Sequence, residues 1–101
     1  MAEQPHQIRD NPDRATHIAE LLKAVAHPLR IRIVAILCEG PQYVNALAER
    51  LDVGQAIVSQ QLRILRMRKL VSSTRKNGFA YYELAEDQLR KLVDCMEGCP
   101  I

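Results

Sequence analysis

Residues 44–67 read VNALAERLDVGQAIVSQQLRILRM, and this stretch decides the fold. Apolar side chains recur at helical spacing in two short runs, residues 44–51 and 55–67, with three residues between them. Ala48 is small at a point where two such helices must approach closely. Asp52 occupies the turn, where its tolerance of left-handed φ is useful. Two helices joined in this way predict a helix-turn-helix.

The segment that contains the second of these helices is basic and free of acid. Between Val53 and Tyr82 there is no Asp or Glu, although the whole chain of 101 residues has a formal net charge of only +2. The positive charge there comes from Arg63, Arg66, Arg68, Lys69, Arg75 and Lys76. A charge run can be no more than a solvated face, but a polyanion such as nucleic acid binds a surface of this kind.

Two short segments rich in β-branched and aromatic residues follow the basic helix. Residues 70–76 and 79–84 are predicted strands. The dipeptide Asn77-Gly78 between them is a strong hairpin signal, because both central residues of a type I′ turn take positive φ. The basic segment is therefore expected to include a β-hairpin as well as a helix.

Three further helices complete the predicted order. Pro12 fits the first position of one helix, and Pro28 starts the next, because the residue before proline avoids the α region. Glu39-Gly40-Pro41 stops that second helix after Cys38, and a last helix follows Glu86 and is ended by Gly98 and Pro100. The predicted fold is mainly α with a β-hairpin wing, in the order α-α-α-α-β-β-α, which is a winged helix-turn-helix.

Length and composition indicate a single small domain. Chains of this size often complete their core by dimerising. Residues 1–14 are predicted to be a polar, mobile N-terminal arm, and residues 15–101 to form the DNA-binding and dimerisation domain. The arm has no apolar signal-peptide region and no apolar run is as long as a membrane span, so we expect a cytoplasmic protein.

These elements resemble the ArsR/SmtB family of winged helix-turn-helix repressors. Residues 54–65, GQAIVSQQLRIL, are similar to the family's recognition helix, whose usual pattern is close to S-Q-S-x-V-S-x-H-L-x-x-L. Gly54 and Gln61 stand where that pattern has a capping Ser and a His. Residues 27–33 resemble the opening of its second helix, and residues 70–84 its wing. The resemblance implies a homodimer, joined by its first and last helices, that binds double-stranded operator DNA as a transcriptional repressor.

The expected DNA contacts follow from the motif and from side-chain chemistry. In a helix-turn-helix the amino-terminal half of the second helix enters the major groove, where Gln bonds adenine, Arg bonds guanine and Ser bonds either base or phosphate. The residues of this helix expected at the DNA are Gln55, Ala56, Ser59, Gln60 and Arg63. Ala56 stands where the family usually has a DNA-facing Ser. Arg75 and Lys76 flank the hairpin turn and are predicted to contact phosphates.

The metal-binding motifs of the family are not matched by this chain. Tyr43 and Asn45 occupy the positions of its arsenic-type cysteines, and Gln88 replaces a His of its zinc-type site. We therefore assign no metal site to those motifs, and no cofactor is required.

The cysteines remain as candidates for an effector site. Cys38 ends the second helix, near which the family's last helix packs, while Cys95 and Cys99 are spaced to share one face of that last helix. Three thiolates could bind a soft ion such as As(III), and two could form a reversible disulfide or polysulfide. Alternatively, the thiols could be structural only.

The leading functional prediction is a dimeric, sequence-specific repressor that a thiol-directed signal releases from its operator. That signal would be an oxidant, reactive sulfur, or a soft metal or metalloid. The alternatives are a constitutive DNA-binding protein with no effector, and a winged helix used for protein or RNA interaction. An enzyme is not expected, because no His lies near any Cys in sequence and no phosphate-binding loop or paired-carboxylate site is evident.

Overall fold

The computed structural model describes residues 7–100. After a 3-10 turn at Ile8–Asp10, the elements are α1 Pro12–Val25, α2 Pro28–Leu37, β1 Gln42–Tyr43, α3 Val44–Leu51, α4 Gln55–Met67, β2 Val71–Lys76, β3 Phe79–Leu84 and α5 Asp87–Glu97. The winged helix-turn-helix prediction is confirmed, and β1 is an addition to the predicted order. Within this described part, no helix is both long enough and apolar enough to cross a lipid bilayer.

The first two helices begin where the sequence predicts, each with a side-chain cap. The Asn11 side chain accepts a hydrogen bond from the Arg14 backbone N–H at 3.0 Å. Nδ1 of His27 likewise accepts from the backbone N–H of Leu29 at 3.1 Å. Such caps satisfy N–H groups that the first helical turn leaves free. Helix α1 begins inside the predicted arm 1–14, of which residues 1–6 lie outside the described residues.

The wing is a three-stranded antiparallel sheet in the order β1-β3-β2. Asn77 and Gly78 have φ of 54° and 82°, which confirms the turn that their dipeptide predicts. Strand β1 pairs with the free edge of β3 and sets Tyr43 opposite Tyr81. A strand of two residues has no periodicity of its own, so its pairing depends on β3, which lies far away in sequence.

Helix α2 is the centre of the core. It contacts each of the other four α-helices and also β3. The fully buried large side chains come from α2, α3, α4, α5 and the wing; they are Ile33, Val34, Leu37, Leu47, Val58, Leu62, Leu65, Val71 and Leu89. Helix α4 and the terminal helices α1 and α5 are therefore linked through one central element.

Candidate nucleic-acid interface

The turn of the helix-turn-helix has the predicted left-handed residue. Asp52 has φ 58° and ψ 47°, and the backbone N–H of Val53 donates to the Ala48 carbonyl at 3.1 Å. Gly54 is the N-cap of α4 and provides no side-chain cap. The first turn of α4 therefore has backbone N–H groups without a side-chain acceptor, which is an arrangement that favours anions.

The exposed surface of α4 has two parts. Val58, Leu62 and Leu65 are fully buried, and the five residues predicted to meet DNA are all exposed. Ala56, Gln60 and Arg63 recur at i, i+4 and i+7, which puts them in one outward row. The other two, Gln55 and Ser59, lie on the flank that faces the wing.

A cleft of about 280 Å³ separates that flank of α4 from the hairpin. Its walls come from α3, α4 and the wing: Val44, Asn45, Gln55, Ser59, Arg75, Gly78, Phe79 and Ala80. The predicted base-reading helix and the predicted phosphate-binding hairpin thus share one gap. Polar donors line both sides of it, so the gap can hold a phosphodiester backbone.

Arg75 and Lys76 point to opposite faces of the hairpin. Arg75 is in register with Ala80 and Lys76 with Phe79, and adjacent residues of a strand alternate between faces. The Arg75 guanidinium donates to the Gly78 carbonyl at 2.9 Å, which ties the tip of the turn. The Lys76 ammonium lies 4.8 Å from the centroid of the Tyr81 ring. Only Arg75 lines the cleft, so the two predicted phosphate contacts are not equivalent.

The basic segment forms one exposed surface. All six of its Lys and Arg residues are exposed. Arg66 donates to the hydroxyl of Ser73 at 3.2 Å and so connects α4 with β2. Arg68 is 3.9 Å from the Glu20 carboxylate, which is a long and exposed pairing that neutralises little charge.

Sequence reasoning missed three exposed apolar residues on this surface. Ile57 is 48% exposed, Met67 72% and Phe79 63%. Apolar residues in a helix are usually core, but Ile57 falls outside the buried stripe of Val58, Leu62 and Leu65, and that offset is the signal of its exposure. For Phe79 a signal exists, because the residue that follows a two-residue turn stands at the hairpin tip, beyond the core.

Gln61 holds the recognition helix against α2. Its side-chain oxygen accepts from Nε of Arg30 at 2.9 Å, and the same guanidinium donates to the Ala24 carbonyl at 2.7 Å. One arginine thus joins α4, α2 and the end of α1. Gln60 and Gln61 are neighbours in sequence but differ in burial, because Gln60 is exposed and Gln61 is half-buried.

Cys38 lies half-buried at the C-cap of α2. The guanidinium of Arg90, on α5, donates to its backbone carbonyl. Burial raises the pKa of the Cys38 thiol, Arg90 acts in the opposite direction, and the carboxylates of Asp94, Glu39 and Glu97 raise it further. The end of α2 therefore interacts electrostatically with the face of α5 that carries Arg90, Asp94 and Glu97.

The other two thiols are not on that face. Cys95 and Cys99 are exposed, and all three cysteines are free. Cys95 follows Asp94 and so points about 100° away from it around α5. Helix α5 ends at Glu97, so Cys99 lies beyond it, and the prediction that Cys95 and Cys99 share one face of the last helix is wrong. Across residues 7–100 no group of three His, Cys, Asp or Glu side chains could hold a metal ion. A single chain therefore does not gather the three thiols into a trigonal site.

Comparison with known proteins decides the family. Residues 27–73 match the family described as "Bacterial regulatory protein, arsR family". The biofilm growth-associated repressor of Xylella fastidiosa is 36% identical over 93 residues, which cover 91% of this chain and 82% of that protein. The protein of the same name in Agrobacterium fabrum is 39% identical over 83 residues, 82% of this chain and 71% of that protein. The chain belongs to the ArsR/SmtB family.

Solved structures of this family agree with the architecture described above. The crystal structure of the transcriptional repressor BigR from Xylella fastidiosa has a TM-score of 0.84 and 33% sequence identity, and the match covers 94% of this chain and 99% of BigR. Members of the ArsR/SmtB family are DNA-binding transcriptional regulators, not enzymes. The face formed by α4 and the hairpin is therefore the candidate DNA interface of this ArsR-family chain.

Proposed function

We propose that this chain is a repressor that binds double-stranded operator DNA in a sequence-specific manner. One observation carries the proposal: the surface from Val53 to Tyr82 has no acidic residue, and all its Lys and Arg side chains are exposed. Such a surface attracts the phosphate backbone at long range. Operator binding would also locate the protein in the cytoplasm, where a bacterial chromosome is found.

Each part of this surface has its own role in the proposal. The outward row of Ala56, Gln60 and Arg63 would face base edges in the major groove, because the core lies on the opposite side of α4. Gln55 and Ser59 would contact bases or the strand that passes through the cleft. Arg75, which lines the cleft, and Lys76, on the outer face of the hairpin, would bind phosphates on either side of the tip.

The proposal includes a homodimer formed through α1, α2 and α5. Each of these helices has an exposed large apolar side chain: Leu22 is 45% exposed, Ile31 40% and Met96 38%. Ile31 and Met96 also line one apolar hollow with Leu92. Covering these side chains with a second copy would remove them from water. Two copies of α4 could then read successive major grooves, about 34 Å apart.

A thiol-directed signal is the proposed means of release. Cys38 is tied to α5 through Arg90, while the next residue, Glu39, forms a bidentate ion pair with Arg50 of α3 at 2.8 Å. A modification of the Cys38 thiol would therefore act where α5, α2 and the helix-turn-helix meet. A soft metalloid such as As(III) would need a second chain, or a movement of α5, to find three thiolates. A coupling of about 1–3 kcal/mol is enough to change operator occupancy many-fold.

Selection from a random DNA library tests the DNA-binding proposal. Wild-type protein in reducing buffer should enrich a palindromic sequence and bind it at least about 10³ times more tightly than random duplex. A double change of Arg75→Ala and Lys76→Ala should lower binding to both duplexes and reduce the salt slope by about 1.8. Lys91→Ala removes an exposed cation outside the acid-free segment and is the control.

Enrichment of no sequence would reject the repressor proposal and favour the alternative of a winged helix that binds protein or RNA. Release of the selected duplex from wild type, and not from a variant with all three cysteines changed to Ser, would support the thiol signal. Equal responses of the two proteins to oxidant, polysulfide and As(III) would favour a constitutive DNA-binding protein instead.

A further inference from the structure

The hairpin tip has an exposed aromatic ring that the proposed base and phosphate contacts do not use. Phe79 is the one phenylalanine of the chain, and 63% of it is exposed. A single exposed apolar side chain is common on protein surfaces and needs no explanation by itself. The surroundings of Phe79 are what distinguish it from the others.

The ring lies on the outer face of the wing, against another aromatic ring. Its centroid is 6.3 Å from that of Tyr43, at an interplanar angle of 84°, which is an edge-to-face contact. Tyr43 in turn lies 4.8 Å from Tyr81, and the Lys76 ammonium lies over the Tyr81 ring. All but one of the aromatic residues of the chain are therefore in this patch, with a cation beside them. Arg75 fixes the turn through its bond to Gly78.

Phe79 also borders the gap that the recognition helix faces. Atoms of Phe79 line the rim of the cleft with Gln55 and Ser59 of α4, while its ring lies on the outer face of the hairpin, on the same side as Lys76. If α4 lies in the major groove, the strand that borders this groove passes through the cleft. In B-DNA the minor groove lies on the other side of that strand. The hairpin tip, and with it Phe79, is then at the minor groove.

We propose that Phe79 is a minor-groove contact that wedges against a base step next to the sequence read by α4. Apolar side chains used in this way partly unstack a step, and pyrimidine–purine steps such as TA and CA yield most easily. Phe79 thereby gives the protein a preference for flexible steps at the outer ends of its operator. The proposal rests on operator binding as described above and adds a residue that reads deformability, not hydrogen-bonding groups.

The test uses the duplex selected by the wild-type protein, with its flanks varied. One version has TA steps at the positions under the hairpin tips, and another has A-tracts there. Wild type should prefer the TA version by about tenfold, and Phe79→Ala should bind both versions equally, with an unchanged salt slope because no phosphate contact is lost. Phe79→Leu, which keeps an apolar side chain, should retain part of the preference. Ile8→Ala, which shortens another exposed apolar residue, is the control.

A fluorescent base gives a second readout that needs no variant. With 2-aminopurine at the flanking step, unstacking by the wild-type protein should raise the fluorescence. Equal flank preference of wild type and Phe79→Ala would overturn the proposal, and so would an unchanged 2-aminopurine signal on saturation with wild type. Such results would leave operator binding intact. Failure of wild type to select any sequence would instead reject the function on which the proposal depends.

Discussion

The proposed DNA-binding surface of α4 and the hairpin is formed within one chain, whereas the three thiols, at the end of α2 and near the end of α5, are not gathered into one site. Every residue predicted to meet DNA is exposed, and residues of the helix and the hairpin line a common cleft. At the other region, Cys38 is half-buried against Arg90, while Cys95 and Cys99 are exposed. The surface formed by α4 and the hairpin is therefore expected to act as a rigid body. A site that uses all three thiols is expected to require a second chain or a movement of α5.

The largest effect is expected from breaking the dimer. Met96→Asp replaces an apolar side chain that is 38% exposed with a charged one. Because water still reaches this position in the single chain, the single chain should fold, but the charge would be buried in the dimer. The variant should be monomeric by analytical ultracentrifugation and should bind the selected duplex at least about 100-fold more weakly, because one half-site is lost. Val93→Asp, at a buried position, should unfold the chain instead. A folded Met96→Asp dimer with full affinity would contradict the proposed interface.

The next effect separates two adjacent glutamines. Gln60→Ala should reduce discrimination between the operator and a single-base variant by roughly 1–3 kcal/mol, because Gln60 lies in the outward row of α4. Gln61→Ala is the matched control and should leave discrimination unchanged, since Gln61 faces Arg30. Competition binding with single-base variants measures both. Equal changes in the two variants would mean that the outward row does not read bases.

A smaller effect is expected on the free energy of unfolding when Arg30 is changed. Arg30→Leu removes the hydrogen bonds to Gln61 and to the Ala24 carbonyl. Such partly exposed charge-assisted bonds contribute about 1–2 kcal/mol together. Urea unfolding should show this loss for Arg30→Leu and little change for Arg32→Leu, which alters an exposed arginine on the same helix. Equal stability of the two variants would mean that this bridge does not brace α4.

The fourth prediction concerns the pH dependence at Cys38 in a Cys95→Ser/Cys99→Ser background. Burial raises the pKa of this thiol, and the neutral form is therefore favoured in the folded chain. Its contribution to stability is present below the unfolded-state pKa and is lost as pH rises above about 8.5. The free energy of unfolding should fall more steeply there than in the variant that also has Cys38→Ser.

Alkylation gives an independent check on Cys38. At pH 8, iodoacetamide should react more slowly with Cys38 in the folded chain than in urea, since the nucleophile is the thiolate. Equal rates in the two states would show that the pKa of this thiol is not raised by folding.

The same two regions differ in how far the sequence predicts them. Asp52 and Asn77-Gly78 act through local backbone preferences, and apolar spacing identifies the buried side of α4. The fold and the exposed positions of α4 could therefore be predicted from the sequence. The bridge from Arg30 to Gln61 spans 31 residues, and the bond from Arg90 to Cys38 spans 52. Contacts of this kind depend on tertiary packing, which residue spacing does not encode.

Helical spacing also has a limit at the thiols. It predicts that Cys95 and Cys99 share one face of the last helix, but α5 ends at Glu97, before Cys99. Spacing also does not tell which face of α5 meets Cys38. In the structure, the face of α5 that lies toward Cys38 carries Arg90, Asp94 and Glu97.

The most direct test of this comparison measures binding affinity in reducing buffer. The wild type and a variant with all three cysteines changed to Ser are each titrated against the selected duplex and a scrambled duplex. If the surface of α4 and the hairpin reads DNA without help from the thiols, both proteins should bind the selected duplex at least about 10³-fold more tightly than the scrambled one. Oxidant, polysulfide or As(III) should then weaken only the wild type. Failure of the reduced variant to discriminate between the two duplexes would contradict the account, because the thiols would then be part of the DNA-reading machinery itself.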